Sequence, residues 1–247
     1  DLQRSLRALA RRLDERRRQL ERFAADAAHE FRNPLAAIRS AAELALGASV
    51  PADRARFLGA IIDDADRLRA TVDGLRRLSL AEARSVPAAI EAVDAAAAAR
   101  AACEGVKLRS ALGAQAGEGA RRLDFSVAGD GALARTDPAA LDVMLGNLLD
   151  NAASFASGSV SVRVSAEDGR AVVSVEDDGP GIPPEHLERV FDRFFTWRPG
   201  ERRGAHTGLG LSLVKALAEA GGGSVEASNR PGGGARFVLT LPGARAV

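Results

Sequence analysis

Apolar residues in the N-terminal third recur in three- and four-residue steps: Leu2, Leu6, Leu9, Leu13, Leu20, Phe23 and Ala27, a heptad seam interrupted only at Arg16. A 3.5-residue period predicts a helix that pairs along this seam. The Arg and Glu residues between the apolar positions supply its solvated face. Pro34 has no N–H to donate and should bend the helix, but the spacing resumes at Leu35, Ile38, Ala42 and Ala45, so the helix does not end there. Gly47 and Pro51 mark a stop and a restart, after which Leu58, Ile61, Ala65, Leu68, Val72 and Leu75 step by three and four. Two helices joined by a short turn make a hairpin whose apolar stripe one chain cannot cover. Pairing two hairpins into a four-helix bundle is the simplest cover, so a homodimer is expected.

The helical period lapses over residues 81–92, and the character of the chain changes. An Ala-rich helix is predicted at about 94–112, then a Gly-containing loop at 113–119 and β-like segments near 123–127 and 132–135. Asp137 followed by Pro138 is a strong helix start, a capping carboxylate with proline at the first helical position. That helix should run to about residue 156. Residues 160–166 and 171–177 alternate like paired strands across a turn at Asp168 and Gly169. A Pro/Gly/Arg-rich stretch, 179–207, leads into a helix at about 209–220, and two last strands, 224–228 and 235–241, flank the Gly-rich turn 231–234. Strands and helices mixed in this order predict an α/β sandwich with its helices on one face of a sheet.

Composition narrows the function classes. The 247 residues suffice for two domains, and 46% hydrophobic content supports a packed core. With 34 basic and 33 acidic side chains the net charge is +1, so no nucleic-acid or membrane surface is indicated. A single cysteine, Cys103, excludes an internal disulfide framework and a thiolate zinc site, and suits a reducing compartment. No apolar run is long enough to span a bilayer, and no signal peptide is visible. The abrupt helical start suggests a piece of a longer chain.

Three constellations carry candidate chemistry. On the helix after Pro138, Asn147 and Asn151 stand one turn apart, so their amides share a face beside the apolar stripe of Leu141, Met144, Leu145, Leu148 and Ala152. Two solvated asparagines fit that spacing too, but an amide oxygen is a hard ligand suited to Mg²⁺ that is also held by phosphates and water. Asp177, Asp178, Gly179, Pro180 and Gly181 follow an apolar strand; a carboxylate there can accept from an exocyclic amine such as adenine's, and the glycines permit close approach. Thr207, Gly208, Leu209, Gly210 and Leu211 open a helix, where free N–H groups and the dipole favour phosphate oxygens.

These elements, in this order, resemble the ATP-binding domain of the histidine kinases and their relatives among topoisomerase and chaperone ATPases. Asn147 to Asn151 looks like the N box, Asp177, Gly179 and Gly181 the first glycine box, Gly208 and Gly210 the second, and Phe191, Phe194 and Phe195 the F box between them. The resemblance implies that Asp177 contacts adenine, that Asn147 and Asn151 hold Mg²⁺ and phosphate, that Thr207 to Leu211 face the nucleotide, and that 183–207 is a lid over ATP. The lid also follows from its composition of few apolar residues and several hinges.

The stretch 23–35, with His29, Glu30, Asn33 and Pro34, resembles the family's phosphoacceptor box. A lone helical histidine is ordinarily a surface residue, but His29 lies two positions past Ala27, flanking the seam and within reach of another domain. A zinc-protease reading would need a second histidine where Asn33 stands. By resemblance, His29 attacks the γ-phosphorus of Mg·ATP, Glu30 orients the imidazole and receives its proton, and the phosphoryl group passes to an aspartate on a response-regulator receiver domain. Asn33, on the face of His29, implies phosphatase activity toward that regulator. The full-length protein is expected to be a bacterial inner-membrane protein, with this portion cytoplasmic and the anchor outside the chain.

The sequence departs from the family at Ser154, where a basic residue is common, at Phe155 for Tyr, and at His206 for Gly. Arg193, Arg198, Arg202, Arg203 and Lys215 are the candidates for the displaced phosphate contact. The expected division is a coiled-coil lead-in at 1–22, a dimerisation and phosphotransfer hairpin at 23–81, a linker at 82–92 and an ATP-binding domain at 93–247. A clamp-type ATPase without phosphotransfer and a non-catalytic dimeric scaffold are the alternatives. The first leaves the residues around His29 unexplained, and the second is motivated by Ser154.

Overall fold

The computed structural model describes residues 2–83, 90–115, 123–129, 131–197 and 207–244. The chain divides into two compact units, the first holding the described residues up to Asp73 and the second those from Gly74 to Trp197 and from Gly208 onward.

The first unit is helical. Helix α1 (Leu2–Gly47) continues through Pro34, and three residues, 48–50, lead into α2 (Pro51–Ala83). The missing N–H of a mid-helix proline removes one bond without breaking the helix when the apolar spacing continues past it. Arg54 closes the turn by donating from Nη2 to the Ala48 carbonyl (3.0 Å). Along α1 the covered positions are Pro34, Ala41 and Ala45, whereas Leu35 is 52% exposed. The proline therefore sits on the covered face one position before the residue that the spacing selects. Leu44, Leu58, Ile62 and Val72 are also exposed. The seam side chains from Leu2 to Leu20 lie outside the described residues.

The second unit is an α/β sandwich. Strands β2 (Asp124–Ala128), β4 (Ser159–Glu167), β5 (Arg170–Asp177), β7 (Ala235–Pro242) and β6 (Ser224–Asn229) form a mixed sheet in the order β2-β4-β5-β7-β6, parallel only at β2–β4. Helices α3 (Ala95–Gln115), α4 (Pro138–Phe155) and α5 (Gly210–Ala220) pack with α4 between the other two. Period-2 alternation selects the covered face: Val160, Val162 and Val164 on β4, Ala171, Val173 and Val175 on β5, Phe237, Leu239 and Leu241 on β7. Leu141, Met144, Leu145, Leu148 and Leu149 of α4 fill the space against them and are fully buried, each worth about 1.5–3 kcal/mol relative to exposure.

Local chemistry explains the boundaries. The Asp137 side chain accepts from Ala139 N (2.9 Å) at the start of α4. Asp168 (φ 47°) and Gly169 (φ 74°) are both left-handed, the turn that matches strand twist in a two-residue hairpin. A strand absent from the sequence reading, β1 (Glu91–Asp94), pairs antiparallel with β3 (Leu133–Thr136) as a second small sheet. It occupies the end of the expected linker, while Asp94 caps α3 by accepting from Ala96 N and Ala97 N. The last turns of α2 belong to this unit: Leu78 and Ala81 are buried with Leu209 and Leu213. Part of the expected loop at 113–119 is helical to Gln115; residues 116–122 lie outside the described ones.

Candidate functional site

Strand β5 ends at Asp177, whose side chain is 1% exposed. Its Oδ1 accepts from Gly179 N (2.9 Å) and Ala235 N (3.3 Å), while Oδ2 is buried and has no hydrogen-bond partner. Burial raises the carboxyl pKa above its ordinary value, and the two N–H donors only partly offset it. A desolvated acceptor without a donor costs free energy unless a ligand supplies one. Glycine is required beside it, since a Cβ on Gly179 would stand 2.5 Å from the Phe155 carbonyl oxygen and 2.8 Å from Asp177 Oδ1. These atoms suit an N–H-bearing edge such as that of adenine.

Asp178 does different work. Its carboxylate accepts from the backbone N–H groups of Ser157, Gly158 and Ser159 and from the Ser159 hydroxyl. Desolvation raises its pKa, but these donors outweigh it and hold the group at about 2. The residue thereby ties the end of α4 to the turn that carries Asp177. Its neighbour in sequence hides this role, because a second Asp before Gly reads only as a turn.

The two α4 asparagines are not equivalent. Asn147 donates from Nδ2 to the Val143 carbonyl (2.7 Å), and its Oδ1 lies where a Cβ on Gly210 would come within 2.7 Å. Asn151, one turn on and half-buried, makes no side-chain hydrogen bond among the described residues, so its amide is available to a ligand. Gly210 opens α5, whose cap residue Leu209 makes no side-chain cap bond, leaving first-turn N–H groups open. Leu209 is buried, Leu211 half-buried and both Thr207 and Gly208 half-buried.

Gly208 (φ 67°) is fixed by the F box. A Cβ there would stand 2.5 Å from the Phe194 carbonyl carbon, and Phe194 N donates to Gly208 O (2.9 Å). Phe194 itself has φ 61°, a left-handed conformation costly for a bulky side chain. Phe191 meets Phe237 of the core edge-on at 6.3 Å, and Phe195 packs against His186 at 5.3 Å. Among the candidates for the phosphate contact, Arg193 pairs with Glu82, and Lys215 is exposed on α5. Arg198, Arg202, Arg203, His206 and most of the expected lid lie outside the described residues. Ser154 donates to the Asn151 carbonyl (2.9 Å).

On α1, His29 and Asn33 are exposed and Glu30 is half-buried. One helical turn separates His29 from Asn33, so the two present on one face.

Comparison with known proteins gives the same two parts. Residues 19–84 match the family model described as the His Kinase A (phospho-acceptor) domain, and residues 136–245 the one described as Histidine kinase-, DNA gyrase B-, and HSP90-like ATPase. Sensor protein ChvG of Rhizobium meliloti (strain 1021) is 35% identical over 96% of this chain and 43% of its own length. The chain thus spans less than half of the curated relatives it matches. A structure titled for ShkA full-length in complex with AMPPNP superposes with a TM-score of 0.62 at 28% identity, over 92% of this chain and 46% of that one. The mycobacterial sensor histidine kinase MprB superposes with a TM-score of 0.52 at 30% identity, over 63% of this chain and 98% of that one. A phosphoacceptor helix followed by an ATPase fold, each matched in its own stretch of sequence, places the chain in the family of the sensor histidine kinases of two-component systems.

Proposed function

We propose that this chain is the kinase core of a sensor protein, binding Mg·ATP in its α/β unit and phosphorylating His29. The carrying observation is the buried Asp177 Oδ2 without a donor, which an adenine amine would satisfy. The similarity to sensor protein ChvG and to the AMPPNP complex of ShkA supports the same reading. Gly179, Gly208, Gly210 and Gly181 keep the backbone near the nucleotide, with Thr207, Leu209 and Leu211 around the second glycine box. Asn151, with Asn147, would hold Mg²⁺ shared with the phosphates, and Mg²⁺ supplies charge neutralisation at the phosphoryl oxygens.

In the transfer, an imidazole nitrogen of His29 forms a bond to the γ-phosphorus as the bond to the ADP oxygen breaks, and Glu30 takes the imidazole proton. Phosphohistidine then donates its phosphoryl group to a receiver-domain aspartate of the cognate response regulator, and Asn33 aligns a water that later hydrolyses that phospho-aspartate to aspartate and inorganic phosphate. The working form is a homodimer in which the exposed Leu35, Leu58 and Ile62 are covered by a second copy. Among the described residues no helix is long and apolar enough to cross a membrane. Attachment to the inner membrane, with this part in the cytoplasm, would rest on the portion of its relatives' length that this chain does not span. The division into lead-in (1–22), hairpin (23–81), linker (82–92) and ATP-binding domain (93–247) goes with this reading.

Incubation with γ-labelled ATP and Mg²⁺ tests the proposal. Acid-labile, alkali-stable label should appear on the wild-type chain and vanish in His29→Gln and in Asp177→Ala. Hydrolysis of ATP without label would favour a clamp ATPase, and no nucleotide binding at all a scaffold.

A further inference from the structure

The turn between β6 and β7 grips the end of β5 from behind, using residues that belong to none of the motifs above. Asn229 makes a two-way bond to one residue: its Nδ2 donates to Ile182 O (2.7 Å) and its Oδ1 accepts from Ile182 N (2.7 Å). Gly181 (φ 76°) has no room for a side chain chiefly because of Asn229, whose Oδ1 would stand 2.8 Å from a Cβ there. Arg230 donates from Nη1 to the Asp177 carbonyl (2.8 Å) and from Nε pairs with Glu176 Oε2 (3.1 Å). Glu176 is 6% exposed and is held from the other side by Arg236 (2.7 Å). Gly234 (φ 92°) lets the turn pass so near that a Cβ would stand 1.9 Å from the Asp177 carbonyl oxygen. Ala235 N then reaches Asp177 Oδ1 (3.3 Å).

Asp177 is thus held at its carbonyl by Arg230 and at one carboxylate oxygen by Ala235 and Gly179. With Oδ1 fixed, the direction of Oδ2 is fixed too. The far end of the same turn, at Ile182, is fixed by Asn229, so the segment 177–182 is pinned at both ends. A hydrogen-bonding constellation works only when its donors and acceptors are held to about 0.5 Å. We propose that Asn229 and Arg230 are positioning residues for base recognition: they act through the backbone of 177–182 to aim the Asp177 carboxylate at the nucleotide base. The inference rests on the reading of Asp177 as the adenine acceptor.

The test uses the full 247-residue chain with Mg²⁺ and two probes, ATP and purine riboside 5′-triphosphate, which lacks the exocyclic amine. Affinities come from titration calorimetry and folding from thermal melts. Wild type should prefer ATP. Asn229→Ala should weaken ATP by about three- to tenfold, the worth of a misplaced hydrogen bond, and leave the analogue nearly unchanged, so that the preference shrinks. Arg230→Met, which releases the carbonyl of Asp177 instead, should shrink it likewise; one well-folded variant of the two is enough for the measurement. A preserved ATP-to-analogue ratio in a folded variant, whatever its melting temperature, makes the clamp merely structural and overturns the proposal alone. A wild-type chain that binds both probes equally overturns the reading of Asp177 and the proposal with it.

Discussion

Two adjacent carboxylates, Asp177 and Asp178, are driven in opposite directions by their surroundings. Burial lifts the pKa of Asp177, so its ionisation is disfavoured in the folded chain. The stability tied to this group is fully present below the unfolded carboxylate pKa of about 4 and is lost as pH rises through the higher folded value. At neutral pH the ligand-free chain therefore carries a deficit that a base donor would offset. Asp177→Asn should leave the melting temperature of the ligand-free chain unchanged or raised, while ATP affinity falls about 10–100-fold from loss of a charged acceptor. A lower melting temperature with undiminished ATP affinity would contradict the assignment. Asp178 has the reverse sign: with its pKa held at about 2, its contribution is present above the unfolded value of about 4 and disappears as pH falls toward 2. Acid titration of stability should show a step between those values that Asp178→Asn removes, and an unchanged profile would assign the step to other carboxylates.

Helices α4 and α5 give a matched pair of glycine experiments. Around Gly146, inside α4, a new Cβ would meet nothing within 4 Å, whereas a Cβ on Gly210 at the start of α5 would stand 2.7 Å from Asn147 Oδ1. Gly146→Ala should stabilise the α/β unit by about 0.5–1 kcal/mol, the helix-propensity gain, measured by urea melts. Gly210→Ala should leave the fold intact and displace Asn147 from its bond to Val143, weakening Mg·ATP several-fold by titration; unchanged affinity would remove Asn147 from the site. Helix α4 is legible in sequence because a capping Asp, a proline and a continuous apolar face agree over eighteen residues. Strand β1 is not, because four residues give period-2 alternation too little length to register. The roles of Asn229 and Arg230 are equally hidden, since a Gly-rich turn announces only a reversal and its targets lie some fifty residues away. The left-handed Phe194 has no sequence signal at all, because its conformation is imposed by Gly208 and the packing around it.

At the scale of the whole chain, α2 is one helix shared by two units. Its apolar steps run on without a break past Asp73, so periodicity cannot show that Gly74, Leu75, Leu78 and Ala81 have changed partners. Leu78 is 1% exposed beside Leu209 and Leu213, under the second glycine box, and a Cβ on Gly74 would stand 2.9 Å from the Leu209 side chain. The α/β unit is therefore incomplete if it is cut where the nucleotide motifs begin. Leu78→Ala leaves a cavity that should cost about 2–5 kcal/mol, lowering the melting temperature of this unit by about 5–15 °C for its size. A fragment starting at residue 90 keeps β1 but lacks the end of α2 and should melt at least that far below a fragment starting at residue 74. In the fragment starting at residue 74, Leu78→Ala should reproduce most of this loss, because Leu78 is the largest side chain that α2 buries in this unit. Equal melting of the two fragments would mean that the end of α2 rests on the α/β unit without stabilising it, and the unit would then begin at β1.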